Sequence, residues 1–284
     1  MPADPTVYSE QHGPVVLVSD ILPDGGADGR CSLGTMPFPV FLYHSIATDS
    51  EPGLERWTVT PSEFERHVDL IAASGRSPMT ITALAAALRS NALPERPVAI
   101  TFDDGFADNL AAAEQLHQSG LPATVYVTSG YLGRAKMLDG SGLRALAAIP
   151  GVEIGGHSVS HPRLDELRRS EIAEEVRVSR SRIEELLGDP IASFAYPHGA
   201  HDARAIAEVA GAGFSSAAAV RDALSHSEDN PLAIARLTVK ATTTRAQIEQ
   251  ALDGTGFPVA SLREWRRTVA YRYFRRARRQ LRQR

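Results

Sequence analysis

The chain has 284 residues, of which 43% are hydrophobic and 23% charged, with a formal net charge of −4. This is ordinary globular composition, which excludes a disordered or collagen-like chain and suits one catalytic-sized domain with a tail rather than two equal domains. The single cysteine, Cys31, excludes an internal disulfide, and no apolar run approaches the ~20 residues of a membrane span.

The first residues lack the basic segment of a signal peptide, and the apolar run at 14–19 is too short for a signal core, so the sequence reads as cytoplasmic. The charge is uneven. From Arg263 to Arg284 there are ten arginines and one acid, Glu264; removing that run leaves 20 basic against 33 acidic residues elsewhere. An acidic body with a basic end is expected.

Residues 1–37, rich in Pro, Gly and Asp, read as a loosely packed extension. Val40 to Tyr43 is a predicted strand. The run 60–63 (TPSE) opens a helix with a capping threonine, a first-turn proline and a glutamate three residues on. Residues 81–90 form an alanine-rich helix. The apolar run 97–102 (PVAITF) reads as a buried strand, followed by a helix over 107–119 that stops at Gly120. Then come a strand at 124–127, a helix at 141–148, a strand at 152–154 and one long amphipathic helix over 164–187. Strand 192–196, helix 202–212, strands 214–218 and 234–239 and helix 244–253 complete the body. The repeating β-then-α order predicts a parallel sheet with helices outside, and periodicity alone leaves an open sheet and a closed barrel as alternatives.

The chemistry concentrates in two places. TFDDG at 101–105 sets two adjacent carboxylates after the buried strand, and HSVSH at 157–161 sets two imidazoles after the next strand but one. Carboxylates and imidazoles at the carboxyl ends of parallel strands are where α/β folds keep their sites. Two histidines and one aspartate also leave a tetrahedral divalent cation one open position. Each motif alone has a plainer reading. Asp-Asp-Gly is usually a turn, and His161-Pro162 with Asp165 and Glu166 looks like a helix start. Their pairing after strand-like runs favours a hydrolytic metal site.

Further segments follow in order: FLYHSI at 41–46, FADN at 106–109, ATVYV at 123–127, GGHSVSHP at 155–162, FAYPHGAHD at 194–202 and ARLTV at 235–239. On this ordered set, over roughly 38–240, the chain resembles the polysaccharide deacetylases with a NodB homology domain (carbohydrate esterase family four). The resemblance implies an irregular (β/α)7 barrel over 38–258, between the extension at 1–37 and an arginine-rich amphipathic helix at 259–284. It implies that Asp104, His157 and His161 bind one divalent ion, with Asp103 as general base. Zinc is the default for such a ligand set, with Co2+, Ni2+ and Fe2+ as alternatives. In the YPHG motif at 196–199, the N–H of His198 is expected to face the oxyanion. Gly105, Gly155 and Gly156 leave room for close backbone approach.

The chain departs from the family pattern twice. An arginine that orients the base in well-known members is replaced by Ala195, and Arg236 is expected to supply that guanidinium from another strand, since a buried arginine demands a partner. The Leu-x-His that supplies the acid is replaced by LTVK at 237–240, which leaves His44 as the favoured general acid, ahead of His226, His198 and His201. Trp57 and Tyr131 read as ordinary packing, with sugar stacking as the alternative.

The expected activity is removal of N-acetyl groups from amino sugars, in a glycan or a nucleotide- or lipid-linked precursor. A deformylase or other amidohydrolase on the same scaffold, or a glycan-binding protein that has lost its acid, are the alternatives. The terminal stripe of Leu262, Trp265, Val269, Tyr273, Ala277 and Leu281 among arginines is expected to pack on the barrel, with peripheral contact at the inner membrane surface through 262–284 as the second reading. No nucleic-acid recognition motif accompanies the charge, so nucleic acid is not an expected partner.

Overall fold

A computed structural model describes residues 36–50 and 52–260. The extension expected at 1–37 falls outside them except for Met36 and Pro37, and the arginine-rich helix expected at 259–284 falls outside them beyond Ala260.

Ten strands and seven α-helices make up the described chain: β1 (Val40–Tyr43), β2 (Ser45–Ile46), β3 (Thr58–Val59), α1 (Pro61–Ala73), β4 (Ser77–Met79), α2 (Ile81–Arg89), β5 (Pro97–Phe102), α3 (Asn109–Gln118), β6 (Ala123–Val127), α4 (Gly140–Ala147), β7 (Val152–Gly156), α5 (Arg169–Leu187), β8 (Ser193–Ala195), α6 (Ala203–Gly211), β9 (Ser216–Ala218), β10 (Leu237–Thr238) and α7 (Arg245–Leu252). The main sheet runs β10-β1-β5-β6-β7-β8-β9, all parallel, and β4 pairs with the first half of β5 while β6 pairs with its end. The sheet curls until its edges meet. Ile234 bridges Ala218 at the end of β9, and three and four residues on Leu237 and Thr238 pair with β1. The result is the irregular, parallel seven-position barrel with outer helices. A separate two-stranded ladder, β2 with β3, stands beside it.

Alternation along the strands sorts side chains between two cores. Outward residues Phe41, Tyr43, Val98, Ile100, Phe102 and Val125 pack against helix residues such as Phe64, Val68, Leu116 and Val176. Inward residues Val40, Ala99, Tyr126, Ala195, Ala218 and Ile234 cluster with Ile81, Leu84, Ala85 and Leu88 of α2. That helix therefore plugs the end of the barrel where the strands begin. Each buried Leu, Ile or Phe contributes about 1.5–3 kcal/mol, so the filled half fixes the frame and leaves the opposite end for chemistry. The same inward rows, continued past the strand ends, reach His44 from β1, Asp103 from β5 and His157 from β7.

Several expected boundaries shift. The long helix over 164–187 is two pieces, a 3-10 turn Leu164–Glu166 and α5. The Arg204 guanidinium takes the Asp165 and Leu167 carbonyls, and the Arg168 N–H bonds the Glu171 carboxylate, so the backbone between them turns. The helix expected from 107 begins at Asn109, because Phe106 bridges Met137 and the Ala107 N–H bonds the Lys136 carbonyl. The strand expected over 234–239 divides at Arg236, where it passes from one neighbour to the other. Strand β4, with Pro78 at its centre, carried no strand-like pattern. Among the described residues no helix is long and apolar enough to cross a membrane.

Candidate active site

Asp103 continues the β1–β5 ladder, giving its N–H to the Tyr43 carbonyl at 3.0 Å. Its side chain is buried, 2% exposed, against the fully buried Arg236. The guanidinium forks onto the carboxylate, 2.7 Å to Oδ1 and 2.8 Å to Oδ2, with further bonds to Thr101 Oγ1 (3.1 Å) and the Ala219 carbonyl (3.2 Å). Burial by itself would raise the Asp103 pKa, but the adjacent Arg236 charge, with its hydrogen bonds, brings it down to about 2. A bidentate, fully bonded pair is the arrangement that makes a buried charge tolerable. The Arg236 guanidinium also lies 5.4 Å from the centre of the Tyr126 ring. A Cβ at Gly155 would sit 2.5 Å from that ring, so glycine there is what lets the tyrosine stand in place.

Asp104 turns the other way. Its φ of +74° is a left-handed conformation that non-glycine residues rarely adopt, and His161 (+59°) and His198 (+56°) share it. Such backbone is held only where surrounding contacts over-determine it, and it concentrates at sites. The turn brings Asp104 Oδ1 to 3.6 Å from His157 Nε2 and 3.3 Å from His161 Nε2. One ligand atom from each of Asp104, His157 and His161 falls within 4.8 Å of the other two.

These three side chains fit a divalent cation on their own chemistry. His157 Nδ1 donates to the Ala195 carbonyl at 2.8 Å, which leaves the Nε2 lone pair aimed at the carboxylates. Burial pushes the His157 pKa down to about 3 and lowers that of His161, so both imidazoles stay neutral, as ligands must be. Burial raises Asp104 to about 6, and its Oδ1 has no hydrogen-bond partner. A buried acceptor without a donor, facing two lone pairs, lacks a positive charge.

The cluster forms the floor of a cavity of about 630 Å³. His44 stands on the wall, its ring 5.4 Å from that of Trp57, and burial lowers its pKa. Asn109 Nδ2 holds the His44 carbonyl at 2.8 Å. The His198 ring lies 4.4 Å from that of His161, and burial lowers its pKa. Trp57, Tyr131, Phe106 and Met137 supply apolar walls, and Arg134 stacks on Tyr131 at 4.5 Å. The sequence reading took Trp57 and Tyr131 as packing. Trp57 ends a short 3-10 turn and Tyr131 lies in a turn, and neither is long enough for a periodicity to mark an inward face.

The structure thus brings Asp103, Asp104, His157, His161, His198, His44 and Arg236 to one end of the barrel. The other two histidines weighed as the acid lie elsewhere. His226 stands 3.4 Å from Asp229 and does not line the cavity. His201 is buried, with its ring stacked on Tyr196 and Nδ1 bonded to the Gly199 carbonyl.

Residues 90–217 match the family described as polysaccharide deacetylase. YxkH of Bacillus subtilis, named for polysaccharide deacetylation, is 26% identical over 166 residues, 58% of this chain and 57% of that protein. The match therefore spans little more than half the length of that relative. Among solved structures, the deacetylase PplD of Streptococcus pyogenes, in complex with acetate, superposes with a TM-score of 0.69 at 21% identity, covering 77% of this chain and 99% of that one. IcaB from Ammonifex degensii gives 0.66 at 20% identity, over 77% and 97%. At these identities the two structures speak for the fold, and they agree with the curled parallel barrel. The family match and the ordered motifs agree with that fold: over residues 90–217 the chain is similar to the polysaccharide deacetylases.

Proposed function

We propose that the protein is a metal-dependent hydrolase that removes N-acetyl groups from amino sugars, with Asp104, His157 and His161 holding one divalent ion, zinc by default. The observation that carries this reading is the convergence of those three ligand atoms beside a second carboxylate, Asp103, that an arginine keeps ionised. The cavity volume lies in the range of small-ligand sites, and its aromatic walls suit sugar faces.

Amide hydrolysis forms a carbon–oxygen bond, breaks the carbon–nitrogen bond and moves one proton to the departing amine. A carboxylate as acidic as Asp103 is a weak base by itself, and the bound divalent cation supplies what it lacks by acidifying water and polarising the acyl carbonyl. Asp103, fixed by Arg236, is positioned to accept the water's proton. The N–H of His198, presented by the tight turn at Pro197–Gly199, is assigned to the oxyanion. His44, on the cavity wall, is assigned to protonate the leaving amine.

The substrate is expected to be an N-acetylated sugar in a glycan or in a nucleotide- or lipid-linked precursor. An acetate-release assay across acetylated chitooligosaccharides and such precursors tests the reading. Release that stops on chelation and returns with zinc or cobalt is the expected result. Formate in place of acetate from formylated analogues would mark a deformylase, and metal binding without release from any substrate would contradict catalysis.

A further inference from the structure

The geometry points to Glu175, on the outer helix α5, as a positioning residue for the cation site: its carboxylate clamps the loop between the two histidines and sets where the His161 imidazole stands. This inference rests on the proposed cation site and adds a residue outside the cavity to it.

The two histidines are held in different ways. His157 follows β7 directly, with its N–H on the Val127 carbonyl and its ring tied to the Ala195 carbonyl. His161 has no strand behind it. It ends a loop whose residues Ser158 and His161 both have positive φ, +64° and +59°. Left-handed backbone at non-glycine residues relaxes unless it is held from outside. The inner side of the loop lies against the turn after β6, where the Ser129 and Gly130 N–H groups bond the Ser158 and Val159 carbonyls. Contact there is so close that a Cβ at Gly130 would lie 2.4 Å from the Val159 oxygen.

The outer side is held by Glu175. Its Oε2 accepts the Val159 N–H at 2.8 Å and the Ser160 N–H at 2.9 Å, and its Oε1 accepts the Ser160 hydroxyl at 2.6 Å. The two clamped residues are those between the two left-handed positions. Three bonds to one carboxylate fix both backbone planes, and the His161 N–H closes on Ser158 Oγ at 3.0 Å. The clamp reaches the cation through His161 alone, since His157 is held by the Val127 and Ala195 carbonyls and Asp104 by the Thr128 N–H on its own carbonyl. Its loss should weaken the site without abolishing it.

The test is titration of purified full-length protein with Co2+ and Zn2+, following the visible ligand-field spectrum of cobalt and the dissociation constants. Glu175→Ala is expected to weaken binding about 10–100-fold and to alter the cobalt bands. Glu175→Gln, whose amide oxygen can still accept both N–H groups while its NH2 meets the serine oxygen, is expected to restore most of the affinity. Glu175→Asp, with its charge kept and its reach shortened, should fall between. In a His161→Ala background, removing Glu175 should change affinity by less than roughly three-fold, because the two act on the same ligand. Wild-type affinity and spectrum in both Glu175→Ala and Glu175→Asp would overturn the inference, as would equal losses with and without His161. Should Glu175→Ala fail to fold, the aspartate and glutamine variants decide. A wild-type protein that binds no cation would instead overturn the proposed site itself.

Discussion

Arg236 lies 133 residues beyond Asp103 in the chain, yet its guanidinium meets both oxygens of that carboxylate at 2.7 and 2.8 Å. The contact forms where the barrel closes, because the segment from Ile234 to Thr238 changes neighbours at that residue. Ala195, where an arginine is expected from the resemblance, is fully buried and too small to reach the carboxylate. Replacing Arg236 with alanine would leave Asp103 buried and uncompensated. Breaking such a pair destabilises by roughly 3–5 kcal/mol, and a misplaced base can slow turnover ~100-fold. Denaturant unfolding and steady-state kinetics of Arg236→Ala measure the two losses, and an unchanged rate in the folded variant contradicts the orienting role. Restoring the charge from the other strand, as Ala195→Arg with Arg236→Ala, should recover part of the rate.

Asp103 and Asp104 are adjacent but opposite in environment, one forked by an arginine and the other without a hydrogen-bond partner on Oδ1. Their substitutions should therefore separate. Asp103→Asn is expected to lower kcat by ~10²–10⁴-fold while cation affinity stays within a few-fold of wild type. Asp104→Asn should lose the cation and activity together. Isothermal titration beside the kinetics checks this, and equal loss of affinity in both variants would contradict the division of roles.

The sequence carried the frame of the site well, for physical reasons. Strands β1 and β5 stood out because parallel strands buried on both faces are continuous apolar runs with abrupt ends. The carboxylates were visible because they follow such a run directly, and the histidine pair because it follows the short strand β7. Arg236 was legible as a buried charge in need of a partner, since it interrupts an apolar stretch. The break at Leu167 and Arg168 was not, because the amphipathic period continues across it and the turn depends on Arg204, 36 residues away. Glu175 could not be distinguished from its acidic neighbours on α5. Its target is backbone N–H groups, which carry no sequence identity.

His44 and His198 both reach the cavity, so the acid is decided by proton bookkeeping in the rate profile. A general acid works protonated, and the rate should therefore fall as pH rises through its pKa. His44→Gln is expected to remove that alkaline limb and to lower kcat, with a smaller effect on KM. His198→Ala, which keeps the backbone N–H, should retain the limb. The reverse pattern would move the acid to His198.

The central claim is that Asp104, His157 and His161 grip a single cation. Anomalous diffraction at the zinc edge, from crystals grown or soaked with zinc, tests it most directly. The account predicts one strong peak about 2.0–2.2 Å from an Asp104 oxygen and from Nε2 of both histidines, lost in Asp104→Asn. No peak among those atoms, or one that survives the substitution, contradicts it.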